Sequence, residues 1–171
     1  ECNDNIRAEL NIPDNSIVLG RIGGFYQFDL EIAHNAIKHI VSVEPNIFFL
    51  FVNTNKFYEH PQIIYLDKII EPIEKVKFIN SCDAMIHARS DGETFGLAIA
   101  EFSSLNKPVI TCVSKMDNSH IEILGSKGII YHNEESLIDI FKNIRTIITS
   151  RDDWNAYEEY TPEKVMKKFM D

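Results

Sequence analysis

The sequence has 171 residues, of which 17 are Lys or Arg and 26 are Asp or Glu, so its net charge at pH 7 is −9. Hydrophobic residues make up 44% and charged residues 25%, and these values exclude a disordered or fibrous chain. An acidic chain is a poor general binder of nucleic acid or of an anionic membrane surface. An anionic ligand would therefore have to be held by a local arrangement of groups.

Short β-branched runs alternate along the chain with longer segments of helical periodicity. Strands are predicted at residues 16–22, 46–52, 63–66, 84–87, 108–112 and 128–131. Helices are predicted at residues 29–42, 71–81, 95–105, 121–124, 136–148, 154–160 and 162–170. Asp29 is the expected N-cap of the first helix, and Pro72 lies in the first turn of the second.

This alternation predicts an α/β fold: a single Rossmann-like, doubly wound domain, residues 1–171, with a six-stranded parallel sheet. Ligands of such sheets bind outside the carboxyl ends of the strands, where the strand order reverses. The loops that follow Ile22, Leu66, His87 and Cys112 are therefore the places to look for a site.

The cysteines, Cys2, Cys82 and Cys112, are few and widely spaced, and no spacing typical of a metal site exists. We expect Cys82 and Cys112 to be small buried apolar residues in a reducing compartment. No apolar run approaches 18 residues and no signal peptide is visible, so a cytoplasmic location is expected, with membrane association only through parts outside this chain. Because the chain does not open with Met, it is interpreted as a fragment, a processed form or an excised domain.

The most informative stretch is residues 88–108, where Gly92 and Gly96 bracket Glu93, Thr94 and Phe95. Gly96 opens a helix whose first N–H groups lack internal partners, and the helix dipole there favours an anion. This arrangement is typical of a phosphate-binding site. A simple tight turn into a helix is the alternative interpretation.

Glu101 is the one carboxylate in a helix that is apolar nearly all round, so we expect the helix to be buried. It lies five residues past Gly96, which is ~7.5 Å along the helix axis. Its Cβ tilts toward the N-terminus, so the carboxylate could accept hydrogen bonds from ligand hydroxyls such as those of a ribose. The alternative is a buried salt bridge with Lys or Arg.

The histidines give weaker signals. His87 ends a strand beside the motif and could touch substrate, but a structural role is favoured. His120 and His132 fall in predicted loops and suggest no function.

Glu93 and Glu101 are separated by seven residues, and Phe95-Gly96-Leu97 follows the first of them. This pattern resembles the nucleotide-binding half of GT-B glycosyltransferases, in particular the large retaining family 4. Three further segments fit the same family, and the resemblance extends from about residue 6 to residue 169. These segments are residues 18–21 (VLGR), 78–90 (FINSCDAMIHARS) and 107–110 (KPVI).

The resemblance implies a role for each matching residue. The backbone N–H groups of Phe95, Gly96 and Leu97 would hold the diphosphate of a UDP or GDP sugar. Glu101 would bind the ribose and Glu93 the donor sugar. Arg21 would place positive charge on the departing phosphate. The remaining residues implied in donor binding are Gly23 and Gly24, whose loop comes close, Thr94, and Ile69 with Lys68 near the base.

One departure concerns catalysis. The family usually has a lysine about five residues after the arginine, where this sequence reads Phe25-Tyr26-Gln27. Metal-free stabilisation of a departing diphosphate needs fixed cations and dipoles. Arg89 could supply the missing cation; otherwise catalysis is weak or absent.

The resemblance also implies that this chain is one half of a GT-B enzyme. The acceptor-binding N-terminal half is expected to be missing from this chain or on another chain, so the domain alone should bind donor but transfer poorly. No cofactor and no metal is expected, and the acceptor is a glycan, lipid or protein. Two rivals stay open: a non-catalytic nucleotide-sugar-binding module or pseudoenzyme, and a related sugar enzyme such as a phosphorylase or an epimerase.

Overall fold

The computed structural model describes residues 4–170, so Cys2 lies outside the described residues. The strands are β1 (Ile17–Ile22), β2 (Ile47–Val52), β3 (Ile63–Leu66), β4 (Ala84–Ile86), β5 (Gly92–Glu93), β6 (Val109–Cys112), β7 (Asp117–Asn118) and β8 (Gly128–Tyr131). The α-helices are α1 (Glu31–Val43), α2 (Pro72–Ser81), α3 (Leu97–Ser104), α4 (Ser119–Leu124), α5 (Glu134–Lys142), α6 (Ile144–Ile148) and α7 (Pro162–Met170).

Six strands form one parallel sheet in the order β3-β2-β1-β4-β6-β8, which confirms the predicted fold class. The strands at its centre are apolar on both faces because helices cover both sides. Leu19 and Phe49 pack with α1 and α5 on one face, whereas Val18 and Leu50 pack with α2 and α3 on the other. Alternate residues of one strand thus build two separate cores.

The strand order reverses between β1 and β4, which are hydrogen-bonded neighbours in the sheet. The connection after β1 leads outward to β2, while the connection after β4 leads toward β6 in the opposite direction. The loops at the carboxyl ends of β1 and β4 therefore diverge and leave a crevice between them.

A second, two-stranded parallel sheet of β5 and β7 was not predicted from the sequence. Each strand has only two residues, so no alternating pattern marks either of them. The pairing ties the loop after β4 to the loop after β6, and it carries Glu93. It therefore orders the segment that leads into α3.

Two helix predictions need correction near the C-terminus. The predicted helix 136–148 is two helices, α5 and α6, which meet at Asn143, where the side-chain amide donates to the Asp139 carbonyl at 2.9 Å. The predicted helix 154–160 is irregular except for a 3₁₀ turn at Glu158–Tyr160. Trp154 is buried there, and its indole N–H donates to the Ile148 carbonyl at 3.1 Å.

The prediction that Asp29 caps α1 is wrong. Helix α1 begins at Glu31 with Leu30 at the N-cap position. The Asp29 carboxylate instead accepts hydrogen bonds from the backbone N–H and the hydroxyl of Ser90, at 2.8 and 2.7 Å. A tertiary contact with the loop after β4 therefore replaces the local cap.

Cys82 and Cys112 are free and buried, as expected, and burial raises the pKa of both thiols. Within residues 4–170, none of the helices combines the length and the apolarity needed to span a bilayer.

Candidate functional site

Two cavities lie at the carboxyl ends of the strands, beside the point where the strand order reverses. The larger, about 470 Å³, is lined by Arg21, Gln27, His87 and Glu93 together with the start of α3. The smaller, about 280 Å³, is lined by residues from the loops after β2 and β3 and by Glu101 of α3. The two cavities share Ile22, Gly23, Leu97 and Ala98. They form one groove, which runs across the N-terminus of α3 and is called the α3 groove below.

The N-terminus of α3 has the geometry predicted for an anion site. Gly96 is the N-cap residue, with φ 77° and ψ 72°, and no side chain of the described residues caps the helix. Any other residue at this position would be strained by the left-handed backbone conformation, and its Cβ would lie 3.0 Å from Ile99 Cδ1. The first amides of the helix are thus left for a ligand, at its positive end.

Phe95, which precedes this glycine, is fixed by the C-terminal segment. The Tyr157 hydroxyl donates to the Phe95 carbonyl at 2.7 Å, and the two rings make an edge-to-face contact with centroids 5.3 Å apart. Burial raises the pKa of Tyr157, so the phenol keeps its proton for this bond. The entry to α3 is therefore held in place by a chain segment 62 residues away.

The surroundings of Glu101 differ from those predicted for a carboxylate in a buried helix. Helix α3 is not buried all round, since Leu97 is 74% exposed, and the Glu101 side chain is 38% exposed. Its Oε1 accepts from Lys75 Nζ at 2.9 Å, so the salt bridge considered as the alternative forms, but it is partly exposed and not buried. Both partners line the smaller cavity, so the carboxylate is still reached from the α3 groove.

Glu93 lies at the other end of the groove, in the larger cavity. Its Oε1 contacts His87 Nε2 at 3.3 Å, and its Oε2 accepts from Arg89 Nη1 at 3.0 Å. Burial raises the pKa of this carboxyl, but the hydrogen bonds and charges of His87 and Arg89 outweigh burial, so the pKa is lowered. Glu93 is therefore a carboxylate at neutral pH.

Arg21 is buried beneath the groove, at 4% exposure. Its guanidinium donates to the Asn53 carbonyl at 3.2 Å, to Thr54 Oγ1 at 2.9 Å and to the Gly24 carbonyl at 2.7 Å. Burial lowers its pKa to about 10, which still leaves it cationic at pH 7. Arg21 thus connects the loops after β1 and β2 and places a buried positive charge at the larger cavity.

The glycines after β1 allow this packing. A Cβ at Gly23 would lie 2.8 Å from Arg21 Nη2, and a Cβ at Gly24 would lie 2.7 Å from Gln27. The side chain of Gln27, in the region where the resembled family usually has a lysine, accepts from the Gly24 N–H at 3.2 Å.

The remaining predicted residues separate into two places. Thr94 lines the larger cavity, and Ile69 lines the smaller one with Lys68. Arg89 does not line the α3 groove; it pairs with Glu93 and lines a separate cavity of about 440 Å³ with Lys115. That Arg89 replaces the missing lysine in stabilising the departing diphosphate stays a prediction.

No protein-family model matches the sequence, and no curated protein matches it. Among solved structures, the chain is similar to Anabaena HepE, crystallised in complex with UDP and glucose, with a TM-score of 0.73 and 18% identity over 96% of this chain and 50% of HepE.

Two further similar structures are glycosyltransferase WaaG, involved in lipopolysaccharide biosynthesis, and the trehalose-6-phosphate synthase OtsA. WaaG has a TM-score of 0.66 and 15% identity over 96% of this chain and 48% of its own. OtsA has a TM-score of 0.66 and 12% identity over 88% of this chain and 40% of its own. The chain therefore spans about half the length of HepE and WaaG.

The fold is that of one Rossmann-like half of a GT-B glycosyltransferase.

Sequence reasoning missed three residues at or beside this site. Lys75 pairs with Glu101, and Thr111 and His120 are fully buried beside His87. His87 was identified as adjoining the motif, and it does bond Glu93. The available signal for Thr111 was strand register, because Ile86 pairs with Ile110 and the next residues are neighbours. No local signal marked His120, which lies in α4 and not in a loop.

The described part of the chain contains no group of three or more His, Cys, Asp or Glu residues arranged to hold a metal ion.

Proposed function

We propose that this chain is the donor-binding half of a retaining glycosyltransferase that moves a sugar, of the hexose class, from a nucleoside diphosphate to an acceptor hydroxyl. One observation carries the proposal: the α3 groove crosses an uncapped helix N-terminus and has a carboxylate at each end. The UDP and glucose with which HepE was crystallised support the same class of donor.

The groove suggests a place for each part of the donor. The diphosphate binds the amides at Phe95, Gly96 and Leu97, where the helix dipole favours negative charge. The ribose hydroxyls donate to Glu101 in the smaller cavity, and the sugar reaches Glu93 in the larger one. The base lies toward Ile69, which lines the smaller cavity.

The proposed chemistry uses fixed dipoles and charges, without a metal. Negative charge grows on the departing diphosphate as the glycosidic bond breaks, and donors that are already in place stabilise it at little reorganisation cost. The α3 amides and the buried Arg21 charge are such groups. Arg21 acts through the field and through the loop it holds, because three of its N–H groups are committed to protein acceptors.

Calorimetric titration of this chain with UDP, GDP and UDP-glucose tests the binding step. Glu101→Gln should weaken UDP binding about 10-fold or more, because a hydrogen bond to a charged group contributes about 1.5–3 kcal/mol. Glu74→Gln is the matched control, since Glu74 also pairs with a lysine of α2, at 3.2 Å, but does not line either cavity of the groove. Failure of every nucleotide to bind, or equal losses in both variants, would overturn the assignment.

A non-catalytic nucleotide-sugar-binding module is the second candidate. Two observations favour it: the guanidinium of Arg21 is bonded to the protein, and residues 25–27, where the resembled family usually has a lysine, contain none. Sugar transfer should be measured with the full-length protein that contains this chain, and the anomeric configuration of the product read by NMR. Turnover with the donor configuration kept supports the transferase; tight donor binding without turnover supports the module.

A further inference from the structure

Glu93, His87, Thr111 and His120 form a closed ring of hydrogen bonds next to the larger cavity of the α3 groove. His87 Nε2 contacts Glu93 Oε1 at 3.3 Å, and His87 Nδ1 contacts Thr111 Oγ1 at 2.8 Å. The same Thr111 oxygen contacts His120 Nε2 at 3.2 Å, and His120 Nδ1 contacts the Glu93 backbone carbonyl at 3.4 Å. Water is largely shut out, because Thr111 and His120 are fully buried and His87 is 6% exposed. The ring starts and ends on one residue.

Counting protons around this ring shows that two neutral histidines do not satisfy it. The Glu93 carboxylate only accepts, so His87 Nε2 must donate and a neutral His87 must accept at Nδ1. The Thr111 hydroxyl then donates to His87, and its oxygen accepts from His120 Nε2–H. A neutral His120 would be left with a lone pair on Nδ1 facing the lone pairs of a carbonyl. One contact would be repulsive inside a buried network.

One additional proton satisfies every contact, and there are two ways to place it. With His87 doubly protonated, Thr111 accepts from His87 and donates to His120, whose Nδ1–H donates to the Glu93 carbonyl. With His120 doubly protonated, the Thr111 hydroxyl points the other way. The two arrangements differ only by the shift of a proton through the hydroxyl, with no heavy atom moved.

The two rings differ in what they face. His87 faces an ionised carboxylate, whereas His120 faces a neutral carbonyl. Burial lowers the pKa of His120. The contacts therefore favour the arrangement in which His120 is the neutral ring, in the Nδ1–H tautomer.

We propose that Thr111 and His120 are positioning residues that keep one extra proton on His87, which holds Glu93 ionised and in a fixed orientation toward the donor sugar. The effect on the donor rests on the proposed function; the proton count does not.

The charges around the ring give this proton a consequence for ligand binding. Glu93 and Asp117 are the acids near the two imidazoles, and Arg89 and Arg21 are the bases near Glu93. Asp29 is a further acid near Arg21. With His87 protonated, these three acids, two arginines and one imidazolium sum to zero. Without that proton they sum to one negative charge, which opposes the binding of an anionic donor. The other titratable groups that face the ring are the hydroxyl of Tyr131, on the His87 carbonyl, with Cys112 beside it, and Tyr157 near Glu93.

Histidine ring nitrogens report this arrangement directly. In a long-range ¹H–¹⁵N spectrum of the ¹⁵N-histidine-labelled chain at pH 7, His87 should show both ring nitrogens protonated and His120 a neutral Nδ1–H ring. Assignment uses His87→Gln and His120→Gln, with exposed His39→Gln as the control that leaves the other signals in place. Two neutral Nε2–H rings would refute the proposal.

Two variants of Thr111 separate the hydroxyl from the packing. Thr111→Val keeps the shape and removes the hydroxyl that accepts from His87 Nδ1, so His87 should lose its second proton and become a neutral Nε2–H ring, while His120 keeps its Nδ1–H bond to the Glu93 carbonyl. Thr111→Ser keeps the hydroxyl and should restore the wild-type pattern. UDP-glucose affinity at pH 7 should fall about fivefold in Thr111→Val, the effect of one net hydrogen bond, and recover in Thr111→Ser. Equal spectra or equal affinities for the two variants would refute the positioning role.

The two levels of failure can be told apart. If the wild-type chain binds no nucleotide sugar, the proposed function fails, while the histidine spectrum alone still decides the proton count. If the donor binds but both rings are neutral, the further inference fails and the proposed function stands.

Discussion

Replacing Gly92 with alanine is expected to open the small sheet that carries Glu93. Gly92 has φ 68°, and a Cβ there would lie 1.8 Å from the Asp117 carbonyl oxygen and 2.7 Å from Ser114 Cβ. Real Cβ contacts stay above 3.0 Å, so the backbone of β7 must retreat by about 1.2 Å. That movement breaks the β5–β7 pairing and the Asp117 N–H bond to the Asp91 carbonyl, which is 3.1 Å long.

Gly125→Ala is the matched control for this change. Gly125 has φ 51°, so alanine is strained there as well, but a Cβ would meet nothing within 4 Å. The strain alone costs about 1–2 kcal/mol. Gly92→Ala also places alanine at a positive φ, and in addition it loses two or three hydrogen bonds at about 1 kcal/mol each, for a total of about 4 kcal/mol.

Urea unfolding followed by the fluorescence of Trp154, the single tryptophan and a buried one, measures the free energy of unfolding of both variants. In a domain of this size, Gly92→Ala should lower the Tm by roughly 10 °C and Gly125→Ala by roughly 5 °C. Gly92→Ala should also weaken UDP-glucose binding, because Glu93 is displaced, while Gly125→Ala should not. Equal destabilisation by the two substitutions would refute the reasoning, since it would mean that the contact with Asp117 adds nothing.

Three further outcomes follow from the contacts described. The folded-state pKa of Glu93 lies below the unfolded value of 4.5, so the ionised carboxylate stabilises the fold above pH 4.5, and this contribution is lost as the pH falls through the folded pKa. In wild type the free energy of unfolding should therefore fall between about pH 5 and pH 3, as measured by urea titration. In Glu93→Gln that fall should be smaller. Tyr157→Phe removes the bond to the Phe95 carbonyl and should cost about 1 kcal/mol of stability, read by thermal unfolding, and weaken UDP binding in calorimetry. Cys82 and Cys112 should resist alkylation at pH 8 in the folded chain and react in urea, as peptide mass mapping can show, because burial raises the pKa of both thiols.

The order and type of the main elements could be predicted from the sequence because the signals are local. Apolar β-branched runs, the Pro72 start of α2 and the glycine entry to α3 each act within a few residues. The regions of the α3 groove were predictable for a related reason. In a parallel sheet the carboxyl ends of strands lie on one edge, so the loops after β1 and β4 must be neighbours.

The predictions that failed concern elements with little local signal. The β5–β7 sheet has two residues per strand, too few for any periodicity. Asp29 had a suitable position for a helix cap, but its carboxylate instead accepts a hydrogen bond from the N–H of Ser90, 61 residues away. A local preference of about 1 kcal/mol is easily exceeded by such a tertiary contact.

The sequence by itself determined that this chain folds as a doubly wound sheet and presents a glycine-led helix N-terminus at its carboxyl edge, since hydrophobic periodicity and backbone freedom are properties of neighbouring residues. Only the tertiary structure decided how the charged groups there are paired. Lys75 meets Glu101 across 26 residues and Thr111 meets His87 across 24, because crossover connections and strand register bring them together. Their protonation and charge follow from those contacts, which join residues too far apart in sequence to leave a local signal.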